Sequence, residues 1–219
     1  MKGTLIVLEG IDGSGKATQA ALLETKFKEA GRSVMHISFP DYESDSSALV
    51  KMYLAGDFGN DPNDVNPYAA SLFYAVDRFA SYRMKWREFY ESGGVVIADR
   101  YVTSNMVHQM TKYDDAAARE AFLSWLEETE YGHLSLPRPD TVILLDVPLT
   151  LSENLVKARH EAGGSMDIHE QHLDYLRRCY DAYRELSARY SWERISCTEN
   201  GVLRAPEDIA KEIWETLQA

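Results

Sequence analysis

The chain has 219 residues, 45% of them hydrophobic, with 23 Lys plus Arg against 35 Asp plus Glu for a formal net charge of −12. That length and apolar content give a globular protein with a real core and exclude a disordered chain. The negative balance excludes an extended nucleic-acid-binding or anionic-membrane surface, so any polyanionic ligand has to be met by a local cationic pocket.

Leu5 to Leu8 is a continuous apolar run that reads as a buried strand. It delivers Glu9 to Gln19, EGIDGSGKATQ, in which Gly10, four residues and then Gly15-Lys16 match the G-x-x-x-x-G-K core of a phosphate-binding loop. Glycines in such a loop let backbone N–H groups close on phosphate oxygens at a helix N-terminus, and Lys16 reaches the outer phosphates. The pattern wants Ser or Thr after the lysine to hold Mg²⁺, and here Ala17 stands in that place with Thr18 next.

Ala20, Leu23, Phe27 and Ala30 recur at helical spacing up to Gly31, and Ser33 to Ile37 reads as a second strand running into Phe39-Pro40. Val50 to Leu54 gives a short helix ending at Gly56. A long helical pattern runs from Tyr68 to about Tyr90 and places Tyr74 and Arg78 on one face. Val95 to Ala98 is a buried-type strand that presents Asp99-Arg100-Tyr101 at its C-terminal end. Helices are expected from near Ser104 and from Ala116 to Glu128, and Thr141 to Leu145 is a strand ending in Asp146-Val147-Pro148. Leu149 to Arg159 reads as a helix, followed by Gly163-Gly164, a long helix from about Ile168 to Tyr190, a strand from Glu193 to Cys197 and a final helix from Pro206 to Leu217.

Strands alternating with helices, several of them uniformly apolar, predict one α/β domain over residues 1–219 with a parallel sheet covered on both faces. In such sheets ligands sit at the carboxyl ends of strands, where Gly10 to Lys16, Phe39-Pro40 and Asp99-Arg100 gather. Cys179 and Cys197 sit in no metal or redox spacing and read as free thiols. With no secretory leader and no apolar run of membrane-spanning length, the expected location is cytoplasmic.

A phosphate-binding loop alone admits GTPases, motors and small-molecule kinases, but the chain has no N-K-x-D and no strand ending in D-x-x-G. Over nearly its whole length it resembles the thymidylate kinase family of nucleoside monophosphate kinases. The resemblance is carried by Glu9 to Gln19, Phe39-Pro40, FYAVDR at Phe73 to Arg78, DRYVTSNMVHQ at Asp99 to Gln109, LLDVP at Leu144 to Pro148, and Asp167 to Glu170. It implies a P-loop kinase with a five-stranded parallel sheet and a mobile lid at about residues 159–170. The implied reaction is phosphoryl transfer from ATP to dTMP with Mg²⁺, a step toward dTTP, in a homodimer without nucleic-acid or membrane partners.

The resemblance also implies roles. Gly10, Ile11, Asp12, Gly13, Ser14, Gly15, Lys16, Ala17, Thr18 and Arg159 fall in the ATP site. Asp12, Phe39, Pro40, Tyr74, Arg78, Arg100, Ser104, Asn105, His108 and Gln109 fall in the dTMP site. Tyr74 stacks on thymine, Arg78 donates to its O4 edge, Ser104, Asn105 and Gln109 read the base, and Arg100 holds the dTMP phosphate; Phe39 is as compatible with the core as with the base. Lys16, Asp99, Arg100 and Arg159 form the catalytic set, and Thr18, Asp12, Asp99 and Glu170 are the Mg²⁺ contacts.

Three positions depart from the family pattern. His108 replaces a tyrosine that presses on the deoxyribose, and Gly13 and Ile168 stand where relatives place a catalytic arginine. Lys157, Arg159, His160 and His169 are the basic groups left near the lid. These departures keep two alternatives in view, a kinase for dUMP or a ribose pyrimidine nucleotide and a nucleotide-binding protein without turnover. Leu72, Phe73 and Phe79 are compatible with a dimer face and with core burial alike.

Overall fold

The computed structural model describes residues 2–152, 155, 168–169 and 172–218. Its centre is a sheet of β1 (Thr4–Glu9), β2 (Val34–Ser38), β3 (Val95–Asp99), β4 (Thr141–Asp146) and β5 (Glu193–Ser196), all parallel, in the order β2-β3-β1-β4-β5. β1 lies in the middle, and its successive side chains point to opposite faces. Leu5 and Val7 enter one core while Ile6 and Leu8 enter the other, which is why the strand is apolar at every position.

The core on the Ile6 and Leu8 side is closed by α1 (Lys16–Glu29) and α8 (Pro206–Gln218) through Ala20, Leu23, Phe27, Ile209 and Ile213. Phe27 and Trp214 meet edge to face at 5.0 Å. The other core gathers Trp86, Tyr90 and Tyr101 with Val102 and Met106 of α5 (Val102–Met110), Phe122 and Leu126 of α6 (Ala116–Glu127), and Tyr175, Cys179, Tyr183 and Leu186 of α7 (Leu173–Arg189). α2 (Ala48–Ala55) and α3 (Pro67–Ser81) flank it, with Gly56 in the left-handed conformation closing α2.

Register fixes where the site lies. Leu8 pairs with Asp99, Ser38 also pairs with Asp99, and just past the sheet Arg100 N donates to Leu8 O at 3.1 Å and Phe39 N to Asp99 O at 3.0 Å. The three segments expected to carry function therefore emerge side by side at one edge, as parallel sheets require.

Several elements differ from the sequence expectation. The long helical pattern from Tyr68 is interrupted by a π-helical turn at Tyr82–Trp86 before α4 (Arg87–Glu91), and α6 is extended by another at Glu128–His133. α5 starts at Val102 rather than Ser104 because Tyr101 is fully extended. α7 starts at Leu173, not near Ile168: Ile168 N instead donates to Leu54 O at 3.2 Å, and its side chain sits in a small cluster with Tyr53 and Ala70. A hairpin of β6 (Thr198–Glu199) and β7 (Val202–Leu203), with no counterpart in the sequence reading, follows β5. No helix among the described residues is long and apolar enough to cross a membrane, and both cysteines are free and buried.

Candidate active site

The loop after β1 is shaped by glycine at positive φ, 148° at Gly10 and 88° at Gly15. A Cβ on Gly10 would lie 2.6 Å from Ser14 Oγ and 2.9 Å from Leu145 O, so both backbone angle and space demand glycine there. α1 opens at Lys16 with no side chain capping it and no acidic residue in its first turn, which leaves its N-terminal N–H groups and positive dipole end for an anion. Lys16 Nζ lies back over the loop, donating to Gly10 O at 3.0 Å and Ile11 O at 3.1 Å. Burial, with the Arg100 charge nearby, lowers its pKa to about 8. Ser14 is buried without a partner for its hydroxyl, and Ala17 and Thr18 face outward on the first turn.

Beside this loop stands Arg100, held at φ 68°, a conformation uncommon for any residue but glycine. Its guanidinium is spread across three partners: Nη2 donates to Asp12 Oδ1 at 2.7 Å, and Nη1 to Ser104 Oγ at 3.1 Å and Tyr183 Oη at 2.9 Å. Under them lies Glu9, wholly buried, which accepts hydrogen bonds from Thr103 Oγ1 at 2.6 Å, Ser104 Oγ at 2.7 Å and Tyr183 Oη at 3.1 Å. Burial works against ionisation of Asp12, but Arg100 and Lys16 outweigh it and hold the carboxyl well below its usual range. Burial likewise opposes the charge on Arg100, and Tyr183, Asp12, Glu9 and Asp99 more than restore it. The site is thus a fixed cation braced by carboxylates, 15% exposed, next to a second cation at the loop.

A cavity of about 100 Å³ opens from Arg100, and Asp12, Phe39, Pro40, Tyr74, Arg78, Ser104, Asn105, His108 and Gln109 all line it with Arg100. The expected acceptor residues are therefore brought together. Phe39 serves both readings: it is 4% exposed, packs 6.0 Å from Tyr101 and still contributes to the cavity wall. Phe73 turns the other way, toward Tyr53 and Phe58. Ser104 lines the wall, with its hydroxyl engaged by Glu9 and Arg100. Both amide atoms of Gln109 and Oδ1 of Asn105 are buried without partners, as expected of groups that await a polar ligand.

Residues outside the expected acceptor set complete the wall. Tyr42, Leu54, Tyr101 and His169 line the cavity. His169 stacks on His108 with ring centroids 5.3 Å apart, and its Nε2 is 3.2 Å from Tyr53 Oη. Burial and the Lys112 charge lower the His169 pKa to about 3, and burial with His169 beside it holds His108 well below the usual imidazole range. Both shifts favour the neutral imidazoles, and His169 stands in the cavity wall. Ile168, in the expected place of a lid arginine, is 4% exposed in its apolar cluster. Glu130 lies behind Arg78 and accepts from Arg78 Nε at 2.6 Å. No spacing rule links these two residues, and only the fold reveals the pair.

Arg159, Glu170, Lys157, His160 and Gly163-Gly164 lie outside the described residues, and with them most of the expected lid. Among the described residues no three His, Cys, Asp or Glu side chains cluster as a metal cage. Asp12 within the loop and half-buried Asp99 at the end of β3 are the carboxylates that would hold Mg²⁺ here, oxygen ligands of the kind that ion takes.

A parallel sheet with a phosphate-binding loop at its centre, a braced arginine just past the neighbouring strand and an aromatic-lined cavity beyond it are the frame of a nucleoside monophosphate kinase. The thymidylate kinase family model matches residues 8–209. The chain is 32% identical over 188 residues to the thymidylate kinase of Mycobacterium tuberculosis (strain CDC 1551 / Oshkosh), covering 84% of this chain and 86% of that protein. It is 33% identical over 209 residues to the probable thymidylate kinase of Pyrococcus abyssi, covering 95% of each. The solved thymidylate kinase of Candida albicans superimposes with a TM-score of 0.73 at 21% identity, over 99% of this chain and 92% of that one, which supports the fold. The chain belongs to the thymidylate kinase family.

Proposed function

We propose that this chain transfers the γ-phosphoryl group of ATP to the 5′-phosphate of dTMP, with Mg²⁺, as a step in dTTP formation. The observation that carries the reading is the pairing of two cationic centres on adjacent strand ends. Lys16 sits in the backbone-lined loop, Arg100 at the mouth of the aromatic cavity, and Asp12 touches Arg100 between them. Phosphoryl transfer needs donor and acceptor phosphates held in line while their charge is screened, and it needs little covalent chemistry from the protein.

In this reading the amides of Gly13 to Thr18 and Lys16 bind the ATP phosphates, and Lys16 leaves its carbonyl partners to follow the γ-phosphate. Arg100 binds the dTMP phosphate, with Asp12, Ser104 and Tyr183 fixing its fork. Tyr74 and Phe39 sandwich the base, and Arg78, Asn105 and Gln109 address its polar edge. The neutral His108 and His169 pair closes the sugar side in place of a tyrosine. Mg²⁺ held near Asp12 and Asp99, with Thr18 and Glu170 as outer contacts, supplies further screening of phosphate charge when bound. Arg159 and the lid segment close over the donor, and Arg159 either packs on adenine or reaches the transferring group. Leu72, Val76 and Phe79, exposed along α3, supply the dimer face. The expected location is cytoplasmic.

The test is an ADP-release assay with ATP against dTMP, dUMP, dCMP, UMP and AMP. The reading expects turnover with dTMP to exceed the others in kcat/KM. Turnover led by UMP would transfer the assignment to a ribose pyrimidine kinase, and no turnover with any acceptor would favour a nucleotide-binding protein.

A further inference from the structure

We propose that Glu130 is a positioning residue that sets the polarity of the base-reading edge, and that through Arg78 and Asn105 it makes the cavity select a 4-oxo pyrimidine over a 4-amino one. The inference rests on the reading of the cavity as a pyrimidine nucleotide site.

Glu130 is wholly buried in the π-helical turn Glu128–His133, where N–H of Leu134 bonds five residues back to Thr129 O at 2.9 Å. Such wide turns are found where a helix re-aims a side chain for a function. The turn delivers the carboxylate to α3 and α5 together. Oε2 accepts from Arg78 Nε at 2.6 Å, and Oε1 accepts both from Arg78 Nη2 and from Asn105 Nδ2, the last at 3.2 Å. Asn105 Nδ2 donates as well to Ser71 O at 3.3 Å.

An ionised carboxylate can only accept, so each neighbour must turn donors toward it. For Arg78 this fixes the plane of the guanidinium and leaves Nη1 as the nitrogen not committed to Glu130. For Asn105 it fixes the amide: the NH₂ faces Glu130 and Ser71, and Oδ1 is left as an acceptor, buried and without a partner. Both residues line the cavity. The edge they offer is a donor beside an acceptor. Its complement is a carbonyl beside an N–H, the O4 and N3–H of thymine or uracil. Cytosine offers an amino group beside a bare ring nitrogen, which meets a donor with a donor and an acceptor with an acceptor. A purely structural salt bridge has no need of this carboxylate, since buried ion pairs are commonly replaceable by apolar side chains at no loss.

The test compares kcat/KM for dTMP and dCMP in the parent enzyme, Glu130→Gln and Glu130→Asp, with ATP KM and thermal unfolding measured on the same samples. Glutamine keeps the shape but brings a donor to the triad, which lets the Asn105 amide reverse. The dTMP-over-dCMP ratio is expected to fall by about tenfold or more, the size of a lost polar contact to a base edge, with ATP KM within about twofold. Aspartate keeps an acceptor-only group but draws it back by one methylene, so the ratio is expected to fall less, by about threefold. Glu130→Asp carries the test on its own if Glu130→Gln does not fold. An unchanged ratio in either folded variant overturns the proposal, as does an equal rise in dTMP and ATP KM. A parent enzyme that does not prefer dTMP over dCMP defeats the substrate reading itself, a failure seen before any variant is made.

Discussion

The two halves of this site, proposed as the donor and acceptor sides, are built by different means. The loop after β1 is a backbone structure, made of glycine conformations, an uncapped helix start and one lysine, all within Gly10 to Thr18. The cavity beyond Arg100 is walled by side chains from α3, α5 and the segments just past β2 and β3, and its two arginines are held by partners far off in sequence. A backbone site tolerates changes around it as long as the glycines stay. A side-chain site fails when an unseen brace is removed, and here the braces are Glu130 for Arg78 and Glu9, Asp12 and Tyr183 for Arg100.

That contrast sets the expected size of each perturbation. Arg78→Ala removes a buried cation and strands Glu130, so unfolding should show a loss of about 3–5 kcal/mol, together with a rise in dTMP KM that ATP KM does not share. A loss under about 1 kcal/mol would mean that Glu130 is not an ionised partner. Lys16→Ala strands nothing, because its partners are carbonyls; stability should hold while kcat falls by about 10² or more. Parent-like turnover would remove the loop from the mechanism. Tyr183→Phe deletes one hydroxyl shared by Arg100 and Glu9 and should cost about 1 kcal/mol in stability with a rise in dTMP KM, read by thermal unfolding and initial rates.

The smallest effect is in pH. Lys16 titrates at about 8 in the free protein against 10.5 ordinarily, so between those values the unfolded chain binds more protons and the fold gains stability as pH rises. Over the same window the loop loses its charge. ADP affinity should therefore weaken by about threefold or more between pH 7.5 and 9, and calorimetric titration at both values checks it. A flat response would place the lysine charge outside nucleotide binding.

Legibility in the sequence followed the same division. The loop could be read from its own residues because a glycine and lysine spacing encodes a local backbone shape, and the apolar runs gave the sheet because each strand is buried on both faces. The expected acceptor residues came from family resemblance, and the fold gathers them around one cavity. What stayed hidden was every contact across the fold. Glu130 carried no signal at all, and His169 read as a basic group near the lid, until packing placed one against Arg78 and the other against His108. Ile168 read as a vacant arginine position because nothing local shows that it fills a gap beside Tyr53. The hairpin after β5 escaped because two-residue strands leave no periodicity.

The division of labour between the two cations can be tested by titrating dTMP, without ATP, into the parent enzyme, Lys16→Ala and Arg100→Met, each first shown to unfold cooperatively. If Arg100 alone receives the acceptor phosphate, the dTMP Kd rises by about tenfold or more in Arg100→Met and stays within about twofold of the parent in Lys16→Ala. Equal weakening in both variants, or weakening confined to Lys16→Ala, would contradict the account.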